Sequence, residues 1–446
     1  MKKILLFAAI FVSITFTASA QWQTVGTAGF SQGAPNYISL AINGNDEPYV
    51  AYMDNTLDQA SVMKFDGTNW AMVGTTGVSE NTANYTSLAF NSSNEPYVAY
   101  RDYANSNKAT VVKFDGTNWV TVGTAGFSSS DALHLSLAFN SNNEPYVAYK
   151  DYYDNSGKAT VMKFNGSSWV TVGTARFSAG EVDYLSLAIN SSNEPYVAYT
   201  DDGNSGRATV MKFNGSSWVT VGTAGFSAGA VSSTSILINN SNEPYVAYRD
   251  WENSYKATVM KFDGTNWVTV GTTGISDGAA YYISLAINSS NEPYVAYKDY
   301  YDNSGKATVM RFDGTNWVTV GTARFSAGET DYLSLALNSS NEPYVAYMDW
   351  ENSGKATVMK FIDSTMSIAD HTTTETPITV YPNPTSNVIN FSVLTNVQLI
   401  DLTGKVVANK TNVSTLDISG LTSGIYFATI TNNKGQVLQR SKIVKK

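Results

Sequence analysis

Apolar and polar positions along this chain alternate in short stretches, with no face of helical period. From Tyr184 to Ile189 aliphatic side chains alternate with polar or small ones, which predicts a half-buried strand. Asn190-Ser191-Ser192-Asn193 then supplies turn residues, and Pro195 to Tyr199 predicts a second strand. Proline stands at that strand's first position, where its missing N–H costs least. Arg207 to Phe213 predicts a third strand, Asn214-Gly215 a hairpin turn and Trp218 to Val221 a fourth strand.

The same pattern recurs along most of the chain. Glu-Pro-Tyr-Val-Ala-Tyr begins at Glu47, Glu95, Glu144, Glu194, Glu243, Glu292 and Glu342, at spacings of 48, 49, 50, 49, 49 and 50 residues. Four strands in a repeat of this length is the proportion of a propeller blade, and seven repeats predict seven blades.

The ends of the array separate a closed ring from a linear stack. The third-strand motif occurs seven times, last at Lys355 to Phe361. The fourth-strand motif, Trp-x-x-Val-Gly-Thr, also occurs seven times, but its first copy stands alone at Trp22 to Thr27. No tryptophan follows Phe361, where Ile362-Asp363-Ser364 takes its place. The N-terminus thus carries the strand the last repeat lacks. Pairing the two closes a circle and removes an exposed sheet edge.

The fold class expected is all-β: a seven-bladed β-propeller of four-stranded blades closed by the N-terminal strand, over residues 21–361. The recurring Asp-Gly-Thr-Asn-Trp, as at Asp263 to Trp267, resembles the Asp-box turn of several secreted propellers but lacks the usual preceding serine spacing. In it the tryptophan is expected to pack between neighbouring blades and the aspartate to bond turn amides.

The first twenty residues predict export. Lys2 and Lys3 precede an apolar run from Ile4 to Phe16, and Ala18-Ser19-Ala20 offers small residues for cleavage. Residues 1–20 are therefore expected to be a signal peptide cut after Ala20, the run being too short to span a bilayer comfortably. No other apolar run approaches spanning length, so the mature chain is expected to carry no transmembrane segment. The formal net charge of -9 repels phosphate backbones and argues against nucleic acid as a partner. With no cysteine, disulfides, thiolate nucleophiles, thiolate zinc sites and a lipobox anchor are all excluded.

From residue 362 to residue 377 the repeat gives way to a Thr- and Ser-rich linker, and residues 378–446 form a second, small domain. This stretch carries Val380-Tyr381-Pro382-Asn383-Pro384 and then Val397-Gln398-Leu399-Ile400-Asp401-Leu402-Thr403-Gly404-Lys405-Val406-Val407. Leu416-Asp417-Ile418-Ser419-Gly420-Leu421, Gly424-Ile425-Tyr426 and Lys442-Ile443-Val444-Lys445-Lys446 follow. These segments, in this order, resemble the type A sorting domain of Bacteroidota type IX secretion. The alternating strands predict a small Ig-like β-sandwich. The resemblance implies recognition by the outer-membrane translocon through residues 378–446, removal of the domain, and a propeller released or anchored outside the cell.

Candidate chemistry in the propeller is sparse. His134 takes a first-strand position that Tyr85 and Tyr184 hold in neighbouring repeats, and His371 lies in the linker; neither has a repeated partner. An aspartate follows every second strand: Asp54, Asp102, Asp151, Asp201, Asp250, Asp299 and Asp349. Seven equivalent carboxylates are expected to cap turns, with polar readout of a ligand on one rim as the functional alternative. Asp151 to Gly157 and Asp299 to Gly305 bring oxygen donors together, but at no calcium-loop spacing, so solvated turns are expected.

A sialidase-like site needs three clustered arginines, and the seven arginines here are scattered. Near-identical repeats also disfavour a single catalytic centre. No enzyme activity, cofactor or metal is expected, and a monomer is. The remaining readings are a multivalent binding module for glycan or protein, a passive surface protein, and less favourably a polysaccharide-active hydrolase or lyase. The loops after the second and fourth strands share one face of the ring. On it stand the candidate ligand-binding residues Tyr103, Tyr152, Tyr153, Trp251, Tyr300, Tyr301 and Trp350, whose rings suit stacking on sugars.

Overall fold

The computed structural model describes residues 21–74, 77–363, 378–401, 405–431 and 437–446. The expected signal peptide with its cleavage site, nearly all of the expected linker, and His371 lie outside the described residues. The described chain divides into two compact units, one over residues 21–362 and one over the C-terminal tail.

The first unit is seven antiparallel four-stranded sheets. Blade 1 runs through Pro35–Ile42, Pro48–Asp54, Gln59–Phe65 and Trp70–Met72, and blades 2 to 6 repeat that order. Blade 7 takes Thr330–Leu337, Pro343–Asp349 and Lys355–Ile362, and its fourth strand is the N-terminal Gln21–Thr24. Trp22 sits opposite Phe361, so the ring is clasped as its two ends require. Second strands are almost wholly buried, with Tyr52, Tyr149, Tyr199, Tyr248, Tyr297 and Tyr347 fully enclosed. They run on to the aspartate, as in Pro195–Asp201, two residues past the expected end, because the chain stays paired until that side chain caps the following turn.

Two hydrogen-bond belts hold the blades together. In each first strand a serine Oγ accepts the backbone N–H of the next blade: Leu88 to Ser39, Leu137 to Ser87, Leu187 to Ser136, Ile236 to Ser186, Leu285 to Ser235, Leu335 to Ser284 and Leu40 to Ser334, all within 3.0–3.2 Å. The loops after the first strands form the second belt, in which an amide oxygen accepts from the preceding blade, as Ser191 N–H donates to Asn242 Oδ1 at 3.0 Å. That belt closes where Ser339 N–H donates to Asp46 of blade 1 at 2.8 Å.

At the periphery each fourth-strand tryptophan reaches back one blade. Trp267 Nε1 donates to the Val221 carbonyl at 2.8 Å, and its ring stacks on Phe226 at 4.1 Å. Gly222 has φ +70° beneath these rings, where a Cβ would lie 2.8 Å from Phe262 and 3.1 Å from Trp267; only glycine fits. In the hairpin before the tryptophan, Asp263 Oδ1 accepts the N–H groups of Thr265 and Asn266, as the turn chemistry predicts.

The second unit has strands Val380–Tyr381, Val388–Ile400, Val406–Asp417, Gly424–Thr431 and Val437–Lys445. The long strand Val388–Ile400 pairs with Val380–Tyr381 at its start and Gly424–Thr431 at its end, while Val406–Asp417 lies along its other edge. A parallel bridge between Thr385 and Lys445 brings the far edge round. The folded sheet encloses a core of Ile389, Leu399, Ile418, Ile430 and Ile443.

Candidate functional site

The seven aspartates at the second-strand ends are buried, and all but Asp201, whose Oδ1 has no hydrogen-bond partner, bond through both carboxylate oxygens. Asp349 Oδ1 accepts the N–H of Glu351 at 3.2 Å, and its Oδ2 accepts from Asn352 Nδ2 and Thr357 Oγ1, each at 2.8 Å. Asp102, Asp201 and Asp250 hold equivalent asparagine and threonine side chains. These carboxylates shape the loops and are not free to read sugar hydroxyls, so of the two expectations the turn cap is the one that fits.

What they shape is a set of short turns, such as Tyr103–Asn105 and Trp350–Asn352, that lift aromatic side chains off the ring. Tyr103, Tyr153, Trp251, Tyr301 and Trp350 are 50–63% exposed, one in each of blades 2, 3, 5, 6 and 7. They share one loop of the blade but not one position: Tyr103, Trp251 and Trp350 directly follow the aspartate, while Tyr153 and Tyr301 stand two residues after it.

The other two candidates are differently engaged. Tyr152 donates its hydroxyl to Glu181 at 3.2 Å, and Tyr300 donates to Glu329 at 3.0 Å. The Arg176 guanidinium lies over Tyr153 at 4.8 Å, and that of Arg324 over Tyr301 at 5.1 Å. Trp350 Nε1 donates to Asp331 at 2.8 Å, which leaves its ring standing free. Among the described residues no ring contact joins any two of the seven; they are separate platforms.

A collar that the sequence did not make evident runs around the axis of the same face. At a bulge in each first strand Tyr37, Tyr85, His134, Tyr184, Ser233, Tyr282 and Tyr332 all take φ of 48–54°. Ring centroids are 4.6 Å apart for Tyr37 and Tyr85, 5.0 Å for Tyr85 and His134, 5.6 Å for His134 and Tyr184, 5.3 Å for Tyr282 and Tyr332, and 5.5 Å for Tyr332 and Tyr37. Ser233 is the gap in this collar. Its one sign in the sequence is the shared position of His134, Tyr85 and Tyr184, because collar neighbours come from strands a full repeat apart.

Outside the collar, charges are paired between blades. Arg101 bonds Asp131 through both Nε and Nη2, at 2.7 and 2.8 Å. Lys150 meets Glu181 at 2.6 Å and Asp183 at 2.7 Å, and Lys298 meets Glu329 and Asp331, each at 2.7 Å. Burial alone lowers the pKa of Lys150 and Lys298, but the carboxylate hydrogen bonds outweigh it and leave both raised. Burial also pushes the phenols of Tyr85 and Tyr282 up to about 12. Among the described residues no three His, Asp or Glu side chains are placed to hold a metal ion. In the acidic loops Asp154 pairs with Arg176, and Asp302 lies 3.6 Å from Arg324.

The opposite face carries a second repeated feature. Equivalent clefts of about 400, 430 and 440 Å³ lie between blades 4 and 5, 7 and 1, and 2 and 3. The first is lined by Tyr196, Lys212, Gly222, Glu243, Phe262 and Asp263.

Residues 379–446 match the family described as secretion system C-terminal sorting domain. The tail is a type IX sorting module, and it directs secretion to the cell surface or the extracellular space. Among the described residues no helix is long and apolar enough to cross a membrane. No curated protein matches the chain.

Among solved structures the chain is similar to the PL25 ulvan lyase, a polysaccharide lyase, with TM-score 0.51 and 11% identity over 76% of this chain and 96% of that one. It is similar to the extracellular domain of a hybrid two-component system from B. thetaiotaomicron, with TM-score 0.50 and 9% identity over 95% of this chain and 57% of that one. The fucose-specific lectin of Aleuria aurantia scores 0.45 at 14% identity, over 67% of this chain and 98% of the lectin. At these identities the likeness is one of fold.

Proposed function

We propose that the propeller is a non-catalytic, multivalent glycan-binding module delivered outside the cell by its sorting tail. The observation that carries this reading is the exposed aromatic ring held at the same loop of five blades by a buried, fully bonded aspartate. A passive surface protein gains nothing from holding large apolar rings in water. A protein ligand calls for one contiguous patch of roughly 800 Å² per partner, whereas these rings stand apart, one to a blade. A repeating polymer meets repeated platforms naturally, and several weak contacts on one chain raise avidity by roughly 10²–10⁴.

An enzyme is the less favoured reading. Three of the four cations near the ends of the second strands are neutralised by neighbouring carboxylates, and the half-buried collar phenols Tyr85 and Tyr282 stay protonated at neutral pH. The collar's one histidine, His134, stands 3.4 Å from Asp183, a contact that recurs in no other blade.

The test is binding of the mature chain to a panel of immobilised polysaccharides, with Trp251→Ala and Trp350→Ala. Both variants are expected to bind the retained polysaccharide several-fold more weakly while melting with the wild type. Unchanged binding in both, with loss on substituting Glu243 in the opposite clefts, would move the sites to the other face. Melting several degrees lower would mark the two tryptophans as packing.

A further inference from the structure

Four second strands place a cation one residue before the buried aspartate: Arg101, Lys150, Arg249 and Lys298. Three of them meet carboxylates at the start of the next blade, Asp131, Glu181 with Asp183, and Glu329 with Asp331. Blade 6 offers Arg249 no such partner, because Ala279 and Tyr281 occupy the positions that Glu329 and Asp331 hold in blade 7. Among the described residues Arg249 makes no ion pair. Its guanidinium is held between Tyr281, at 4.0 Å, and Tyr255, at 4.5 Å, and its buried Nε has no hydrogen-bond partner.

A second unmet group adjoins it. Ser232 is the cross-strand partner of Arg249, is 5% exposed, and its Oγ also lacks a partner. An unpaired cation and an unbonded hydroxyl side by side are costly in a packed blade, and each would be satisfied by one incoming oxyanion. The place is also where the collar is open at Ser233, and Tyr255 in turn contacts the exposed Trp251 at 5.7 Å.

We propose that Arg249 and Ser232 bind the acidic group, a carboxylate or a sulfate ester, of an anionic polysaccharide whose sugar stacks on Trp251. The ligand's oxyanion fills the role that Glu329 fills for Lys298. This rests on the glycan-binding reading and names the ligand class at its blade 5 platform.

The test compares binding of the mature full chain to polygalacturonate, dextran sulfate and uncharged dextran. Two variants are used. Arg249→Met removes the cation, and Ala279→Glu supplies it with an internal carboxylate at the position that Glu329 holds for Lys298. The wild type is expected to prefer one acidic polymer over dextran by about tenfold or more, the usual reach of a charge-assisted pair. Polygalacturonate or dextran sulfate as the preferred polymer tells carboxylate from sulfate.

Both variants should lose that preference, and Ala279→Glu should melt no lower than the wild type. Arg249→Met also alters packing, so Ala279→Glu, which keeps the arginine, decides. Polymer binding by the wild type without an acidic preference, or survival of that preference in Ala279→Glu, overturns the anion site. If all three polymers still bind in that case, the glycan-binding reading stands. If no polysaccharide binds but galacturonate or sulfate binds the wild type and neither variant, the anion site stands and the broader reading falls.

Discussion

A buried carboxylate and an exposed ring, next to each other in sequence, are the smallest unit of this account. Asp349 satisfies a backbone N–H, an asparagine amide and a threonine hydroxyl at once, and Trp350 stands in water beside it. Replacing Asp349 by Ala leaves those donors unmet inside the blade. A loss of about 1–3 kcal/mol is expected by denaturant titration, the cost of orphaned buried donors; no loss would mean the turn is held by other bonds. The capping role was legible in the sequence because an aspartate bonding its own next residues is local chemistry. The collar and the isolation of Arg249 were not, since both depend on which side chain a different repeat, about fifty residues away, places opposite. His134 looked incidental for that reason, and it turns out to stand between Tyr85 and Tyr184.

Strands and blades were the most readable level. Period-2 alternation located all four strands of a blade, and in blade 4 only the ends moved: Val182–Ile189, Pro195–Asp201, Arg207–Phe213 and Trp218–Thr220. The packing role of the fourth-strand tryptophan was expected, but its stack on a phenylalanine from the preceding loop was not. The serine belt was equally hidden, because a serine at an alternating position reads as a solvent face until the next blade's N–H is seen to reach it. Trp267 combines ring burial, the Phe226 stack and a bond to blade 4. Trp267→Ala should therefore cost about 3–5 kcal/mol, measured by chemical denaturation, with a several-degree fall in melting temperature. A change under about 1 kcal/mol, ordinary for a surface site, would show that the interblade contact is dispensable.

For the molecule as a whole, closure and repetition are the properties that matter. The ring's last sheet is completed by Gln21–Thr24, so removing Gln21 to Thr27 exposes the edge of Lys355–Ile362 and deletes the Trp22 stack on Phe325. That truncation is expected to aggregate or to lose its single cooperative melting transition in calorimetry; a melt identical to the full ring would refute closure through this strand. Closure was written in the sequence as a mismatch between its two ends, a signal that needed only counting. In the proposed reading, repetition makes the five exposed rings linked weak sites, and that sets the most direct test. The affinity of the mature chain for its retained polysaccharide should be followed as Tyr103, Tyr153, Trp251, Tyr301 and Trp350 are replaced by alanine, one after another, with the melting temperature recorded at each step. A stepwise fall is expected that reaches roughly 10²-fold or more with all five replaced, the loss that follows when linked weak sites are removed, at an unchanged melting temperature. A fivefold variant that binds the polymer as tightly as the wild type would contradict it.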